Sequence, residues 1–81
     1  MTSNKKKILI IGTGSIGRRH IGLFSRYYDI DIVDNNPSRV KLANKLFKIS
    51  NSFFDYKKAI QNNSYIAVAI CTPPHLHLKI A

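Results

Sequence analysis

The sequence predicts an α/β fold, a parallel sheet of about four strands in the order 3-2-1-4 with helices on both faces. Three observations predict it. Short apolar runs alternate along the chain with segments of helical spacing. Two of these runs are continuous rather than alternating in polarity, as in strands buried on both faces. A glycine-rich turn, Gly12-Thr13-Gly14-Ser15-Ile16-Gly17, joins the first run to the first helical segment.

Each element has its own signal. Ile8 to Ile11 is a β-branched run stopped by Gly12 and reads as the first strand. Ile16, His20, Leu23, Phe24 and Tyr27 recur at spacings of three and four, which predicts one face of a helix. Ile30, Ile32 and Val33 form a second strand ending at Asp34. The turn Asn35-Asn36-Pro37-Ser38 leads into a helix with Val40, Ala43 and Phe47 on one face and Leu42 and Leu46 beside it. Lys48 to Ser52 is expected to hold a short third strand. Asp55 reads as the N-cap of a short helix over Tyr56, Ala59 and Ile60, broken at Asn62-Asn63-Ser64. Tyr65 to Ile70 is a continuous apolar strand. Thr72-Pro73-Pro74 ends it, because two prolines cannot continue a central ladder. His75 to Ala81 reads as the first turns of a further helix.

The handedness of parallel crossovers puts strands two and three on one side of strand one and strand four on the other. Ligands bind such sheets at the carboxyl ends of the strands, where the order reverses, here between strands one and four. The G-x-G-x-x-G turn lies at that point. Gly12 permits the tight turn, Gly14 lets the backbone approach a pyrophosphate, and Gly17 lets the helix pack close to the strand. Free N–H groups and the helix dipole then favour the anion. Thr13, Ser15 and Ile16 belong to the same cradle. This is the phosphate-binding fingerprint of a Rossmann fold.

Asp34 stands close to the expected separation of about 20 residues from the turn. A carboxylate there can accept hydrogen bonds from the adenosine ribose and would repel a 2′-phosphate, which favours NAD. Arg39 leaves NADP open, since a nearby arginine can accommodate that phosphate. The plainer role for Asp34 is to cap the turn at Asn35-Asn36. Arg18 and Arg19 either reach a phosphate or are solvated helix positions. Asp29 and Asp31 alternate with Ile30 and are expected to face away from the core. They are not read as a catalytic pair. His75 and His77 have no third ligand near them, so no metal site is expected. Cys71, the one cysteine, reads as a small buried residue at a strand end and excludes an intrachain disulfide.

Composition bounds the rest. The chain has 81 residues, 44% hydrophobic, enough for one small domain that buries roughly 60% of its unfolded surface. No apolar run approaches the ~18 residues of a membrane span, and no signal peptide is visible, so a cytoplasmic location is expected. Thirteen lysines and arginines face four acids, none of them glutamate, for a formal charge of +9. That balance admits a nucleic-acid-binding module. The basic residues are scattered rather than striped, which argues against it.

Ile8 to His20 resembles the opening of the glucose–fructose oxidoreductase, inositol dehydrogenase and rhizopine-catabolism family (Gfo/Idh/MocA), whose members commonly place a histidine where His20 stands. Tyr65 to Ala81, with Thr72-Pro73-Pro74-His75-Leu76-His77, is similar to that family's fourth strand and the helix start after it. The resemblance implies NAD(P)-dependent hydride transfer to or from a sugar, cyclitol or related polyol. It implies that Thr72 and Pro73 lie against the ribose and nicotinamide side of the cofactor, and that His77 matches the helix-start histidine. It also implies a catalytic lysine in a Glu-Lys-Pro motif one strand further on, and a second domain that binds substrate. Residues 1–81 are therefore expected to form one incomplete cofactor-binding domain, truncated before strand five, without the substrate domain and without a catalytic residue of its own. The alternatives are the non-functional fragment of an interrupted oxidoreductase gene, a nucleic-acid-binding module, and a methyltransferase, against which the Thr72 to His77 ending argues.

Overall fold

A computed structural model describes residues 6–62 and 64–72 of the chain. Its elements run β1 (Lys7–Ile11), α1 (Ser15–Phe24), β2 (Asp29–Val33), α2 (Pro37–Leu46), β3 (Asn51–Phe53), α3 (Tyr56–Asn62) and β4 (Ala67–Ile70). All the strand pairs are parallel, and the sheet order is β3-β2-β1-β4. This is the predicted α/β fold with the predicted strand order.

The strand β1 sits between β2 and β4, pairing Ile8 with Ile30 on one side and with Ala67 on the other. Its two faces bury two separate cores. Ile8, Ile10, Ile30 and Ile32 pack with Ile21 of α1 and with Val40 and Ala43 of α2. Leu9, Ile11 and Val33 pack with Ala59 of α3, flanked by Phe53, Tyr56 and Tyr65. Burial on both faces explains the unbroken apolar run of β1. Each fully buried side chain of this size stabilises the fold by about 1.5–3 kcal/mol.

Local chemistry sets the helix starts. The Asn36 side chain accepts from the amides of Ser38 and Arg39, at 3.0 and 3.4 Å, and Pro37 fills the first turn of α2, where an N–H would be unpaired anyway. The Asp55 carboxylate accepts from the amide of Lys57 at 2.9 Å, in line with its predicted capping role.

Several expectations are corrected. The helix α1 does not turn the predicted stripe inward. Ile16, Leu23 and Tyr27 are exposed, while Gly17 and Ile21 are buried and Phe24 packs against the core. Gly17 sets this phase: its bare Cα must meet the end of β1, which rotates its neighbours outward. The third strand lies at Asn51–Phe53 rather than Lys48 to Ser52, because its register is fixed by pairing Asn51 with Asp31. The fourth strand is shorter than expected and exposed along much of its length, Val68 and Ile70 included. Asp31, expected outside, is completely buried. The expected helix over His75 to Ala81 lies outside the described residues.

Candidate functional site

The carboxyl ends of β1, β2 and β4 converge on the glycine turn. The amide of Gly12 donates to the Val33 carbonyl at 2.8 Å, and that of Cys71 donates to the Ile11 carbonyl at 2.7 Å. Gly12 has φ +93°, a conformation side chains rarely adopt. A Cβ there would also crowd Thr72 Cγ2 at 2.9 Å. A Cβ on Gly17 would collide with the Gly12 carbonyl oxygen, so the helix can approach the turn only with glycine at that position. A Cβ on Gly14 would meet nothing within 4 Å. Gly12 and Gly17 are thus required by the protein's own packing, whereas Gly14 borders open space.

That open space has the character of an anion site. Gly14 is the N-cap of α1, no side chain caps the helix, and its first turn holds no acid. The orphan amide groups of Ser15, Ile16 and Gly17 therefore keep the positive end of the helix dipole uncompensated. Exposure of the Ile16 side chain does not affect this, because its backbone carries the donor. Among the described residues, Thr72 Oγ1 is a buried polar atom without a hydrogen-bond partner. A bound group offering hydroxyls or phosphate oxygens would satisfy it. The chain's own residues fit a dinucleotide here.

Asp34 is 6% exposed and held on both oxygens. Its Oδ2 accepts from the Thr13 amide at 2.8 Å and from the Thr13 hydroxyl at 2.9 Å. Its Oδ1 accepts from the Asn36 amide at 2.9 Å, the turn-capping role that the sequence allowed. The Arg39 guanidinium lies 3.9 Å from Oδ2 and is 53% exposed. Thr13 is fully buried. Its carbonyl accepts from the Arg18 guanidinium at 3.0 Å, so Arg18 grips the loop itself. Of the roughly four acceptor positions on a carboxylate, three are used, and one on Oδ1 is left.

His20 is half-buried on α1. Its Nδ1 lies 2.9 Å from the Ile16 carbonyl oxygen, which can only accept, so that nitrogen carries the proton. Its ring tilts against Phe24. Cys71 is half-buried rather than buried as expected, and burial raises its thiol above the ordinary pKa. Pro73 and His77 lie outside the described residues.

Sequence reading missed a second polar centre. Asp31 accepts from the Tyr65 hydroxyl at 2.7 Å and from the Asn51 side-chain amide at 3.1 Å, with Lys7 Nζ at 3.7 Å. Burial, then the hydrogen bond and charge of Asp31, push the Tyr65 hydroxyl well above its usual pKa. The available signal was an acid inside an otherwise apolar central strand, which requires partners. Among the described residues, no group of three or more His, Cys, Asp or Glu could hold a metal ion, and no helix is long and apolar enough to cross a membrane.

Known proteins share this fold. The sequence model of a family described as "Oxidoreductase family, NAD-binding Rossmann fold" (GFO_IDH_MocA) matches residues 6–81. No curated protein sequence matches the chain. Among solved structures, ligand-free scyllo-inositol dehydrogenase from Lactobacillus casei is 25% identical, with a TM-score of 0.79 over 98% of this chain and 25% of that one. The same enzyme with bound NAD(H) and scyllo-inositol is 24% identical, with a TM-score of 0.79 over 94% of this chain and 24% of that one. An oxidoreductase from Agrobacterium radiobacter in complex with NAD+, L-tartaric acid and magnesium is 22% identical, with a TM-score of 0.83 over 95% of this chain and 23% of that one. The last two are alike in fold alone. The chain spans about a quarter of the length of these structures. With the glycine turn and the strand order of its sheet, the match over residues 6–81 establishes that this chain belongs to the Gfo/Idh/MocA oxidoreductase family as its NAD-binding Rossmann fold.

Proposed function

We propose that this chain is the cofactor-binding portion of an oxidoreductase that moves hydride to or from a carbon of a sugar, cyclitol or related polyol, and that it takes NAD in preference to NADP. One observation carries the cofactor choice: the Asp34 carboxylate is fixed at the end of β2, beside the glycine turn. The similarity to scyllo-inositol dehydrogenase supports the cyclitol class.

In this reading the amides of Ser15, Ile16 and Gly17 hold the pyrophosphate, with Gly12, Thr13 and Gly14 shaping the turn. The remaining acceptor position on Asp34 Oδ1 takes a ribose hydroxyl. Thr72 and Pro73 are assigned to the ribose and nicotinamide side of the cofactor, and His77 to cofactor binding, on the family resemblance. Arg39 borders the adenosine end. The nicotinamide, when bound, supplies the hydride chemistry. This chain binds and orients it, and no catalytic residue is assigned to it. The substrate groups and a catalytic lysine are assigned to additional length of the kind its longer structural relatives have.

Isothermal titration tests the reading directly. The 81-residue chain should bind NADH more tightly than NADPH. Asp34→Ala should weaken NADH by about tenfold, the loss expected for a hydrogen bond to a charged group, and NADPH by less. Absence of heat with NADH at millimolar concentration would sink the assignment. Equal losses for the two cofactors would reduce Asp34 to a turn residue.

A further inference from the structure

We infer that Thr13 is a specificity-determining residue that acts through Asp34, by preventing the carboxylate from moving aside for a 2′-phosphate. The inference rests on the reading that this site holds a dinucleotide. Thr13 is completely buried, so its hydroxyl is a positioning group rather than a ligand.

A 2′-phosphate would bring close to two negative charges to the end of β2. An aspartate there can tolerate it by being neutralised or by swinging away. Neutralisation by Arg39 is weak, because the guanidinium is more than half exposed, 3.9 Å from Oδ2, and screened by water. Swinging away is opposed by three hydrogen bonds, from the Thr13 amide, the Thr13 hydroxyl and the Asn36 amide. Two of the three come from one residue. Movement of that residue with the carboxylate is opposed in turn, because Arg18 holds its carbonyl at 3.0 Å. Arg18, Thr13 and Asp34 thus form one continuous clamp across the glycine turn. Only the Thr13 hydroxyl is a donor that substitution can delete without touching the acid or the backbone. Valine keeps its branched shape and loses the donor, while serine keeps the donor.

The measurement is the ratio of the NADPH to the NADH dissociation constant, read by titration of the 81-residue chain and its variants. A purely structural change alters both constants together and leaves the ratio alone. Thr13→Val should lower the ratio about tenfold, as for one hydrogen bond to a charged group, and Thr13→Ser should restore it. Arg18→Met removes the charge-assisted bond to the Thr13 carbonyl and should lower the ratio about threefold, less than Thr13→Val because Arg18 reaches the carboxylate only through Thr13. Any pyrophosphate contact made by Arg18 cancels in the ratio. The proposal is overturned if NADH binds and Thr13→Val leaves the ratio unchanged. If Thr13→Val does not fold, an unchanged ratio in Arg18→Met overturns it. Failure of the unsubstituted chain to bind NADH would instead remove the dinucleotide reading and this inference with it.

Discussion

Two aspartates, Asp31 within β2 and Asp34 just past its end, are both buried, and their surroundings give them opposite roles. Asp31 lies in the α3-side core and is met by side chains from three other segments, Lys7, Asn51 and Tyr65. Asp34 lies at the sheet's carboxyl end and is met by amides of the two turns beside it and by the hydroxyl of Thr13. A buried acid served by distant side chains ties strands together. A buried acid served by loop backbone shapes a loop. Nearly equal burial therefore says little about role, and the origin of the donors says much.

The two acids should respond differently to removal. Asp31→Ala removes the buried acceptor shared by Tyr65, Asn51 and Lys7 and should cost about 3 kcal/mol, lowering Tm by more than ~10 °C in thermal melting. NADH affinity, measured below the lowered Tm, should be nearly unchanged. A normal melting curve for this variant would erase the contrast between the two acids.

Tyr65→Phe sharpens that contrast on the structural side, with an expected loss of about 1–2 kcal/mol at neutral pH. The native Tyr65 hydroxyl is held protonated above its ordinary value of 10.0. Its stabilisation is therefore complete below pH 10 and is lost as pH rises through the raised native value. The Tm gap between the unsubstituted chain and Tyr65→Phe should be flat below pH 10 and shrink above it. A gap independent of pH up to the alkaline limit of folding would detach Tyr65 from Asp31.

The smallest effect belongs to the exposed partner of Asp34. Arg39→Ala should change stability by less than ~0.5 kcal/mol, and less still at high salt, since an exposed guanidinium near 4 Å is well screened. Urea unfolding at two salt concentrations checks this. A large loss would mean that Arg39 belongs to the clamp.

Much of the fold was legible because its signals are local. The G-x-G-x-x-G turn, the run from Ile8 to Ile11 and the Asn36-Pro37 helix start each declare themselves within a few residues. The strand order came from crossover handedness alone. The illegible parts depended on distant partners. Asp31 looked external because it alternates with Ile30, yet polarity alternation loses its meaning in a strand covered on both faces. Its hydroxyl donor, Tyr65, stands far along the chain. The phase of α1 was misread because Ile16 and Leu23 weigh more in an apolar pattern than Gly17, although the missing side chain of Gly17 decides which face meets the sheet. At the site, the acid and the glycine turn were visible, but the bonds of Thr13 to Asp34 and of Arg18 to Thr13 were not, because spacing does not encode side-chain reach.

The central position of β1 also gives its two pairings unequal closure costs. Ile8 meets Ile30 across a single helical crossover, but meets Ala67 only after all three helices have been traversed. Closing the longer loop loses more chain entropy, and the β4 it brings in is the more exposed partner. On loop-closure entropy, the β1-β2 pair and the clamp between Thr13 and Asp34 are thus the less costly part of the sheet to close. The side of the cradle carrying Thr72 is completed only when β4 docks.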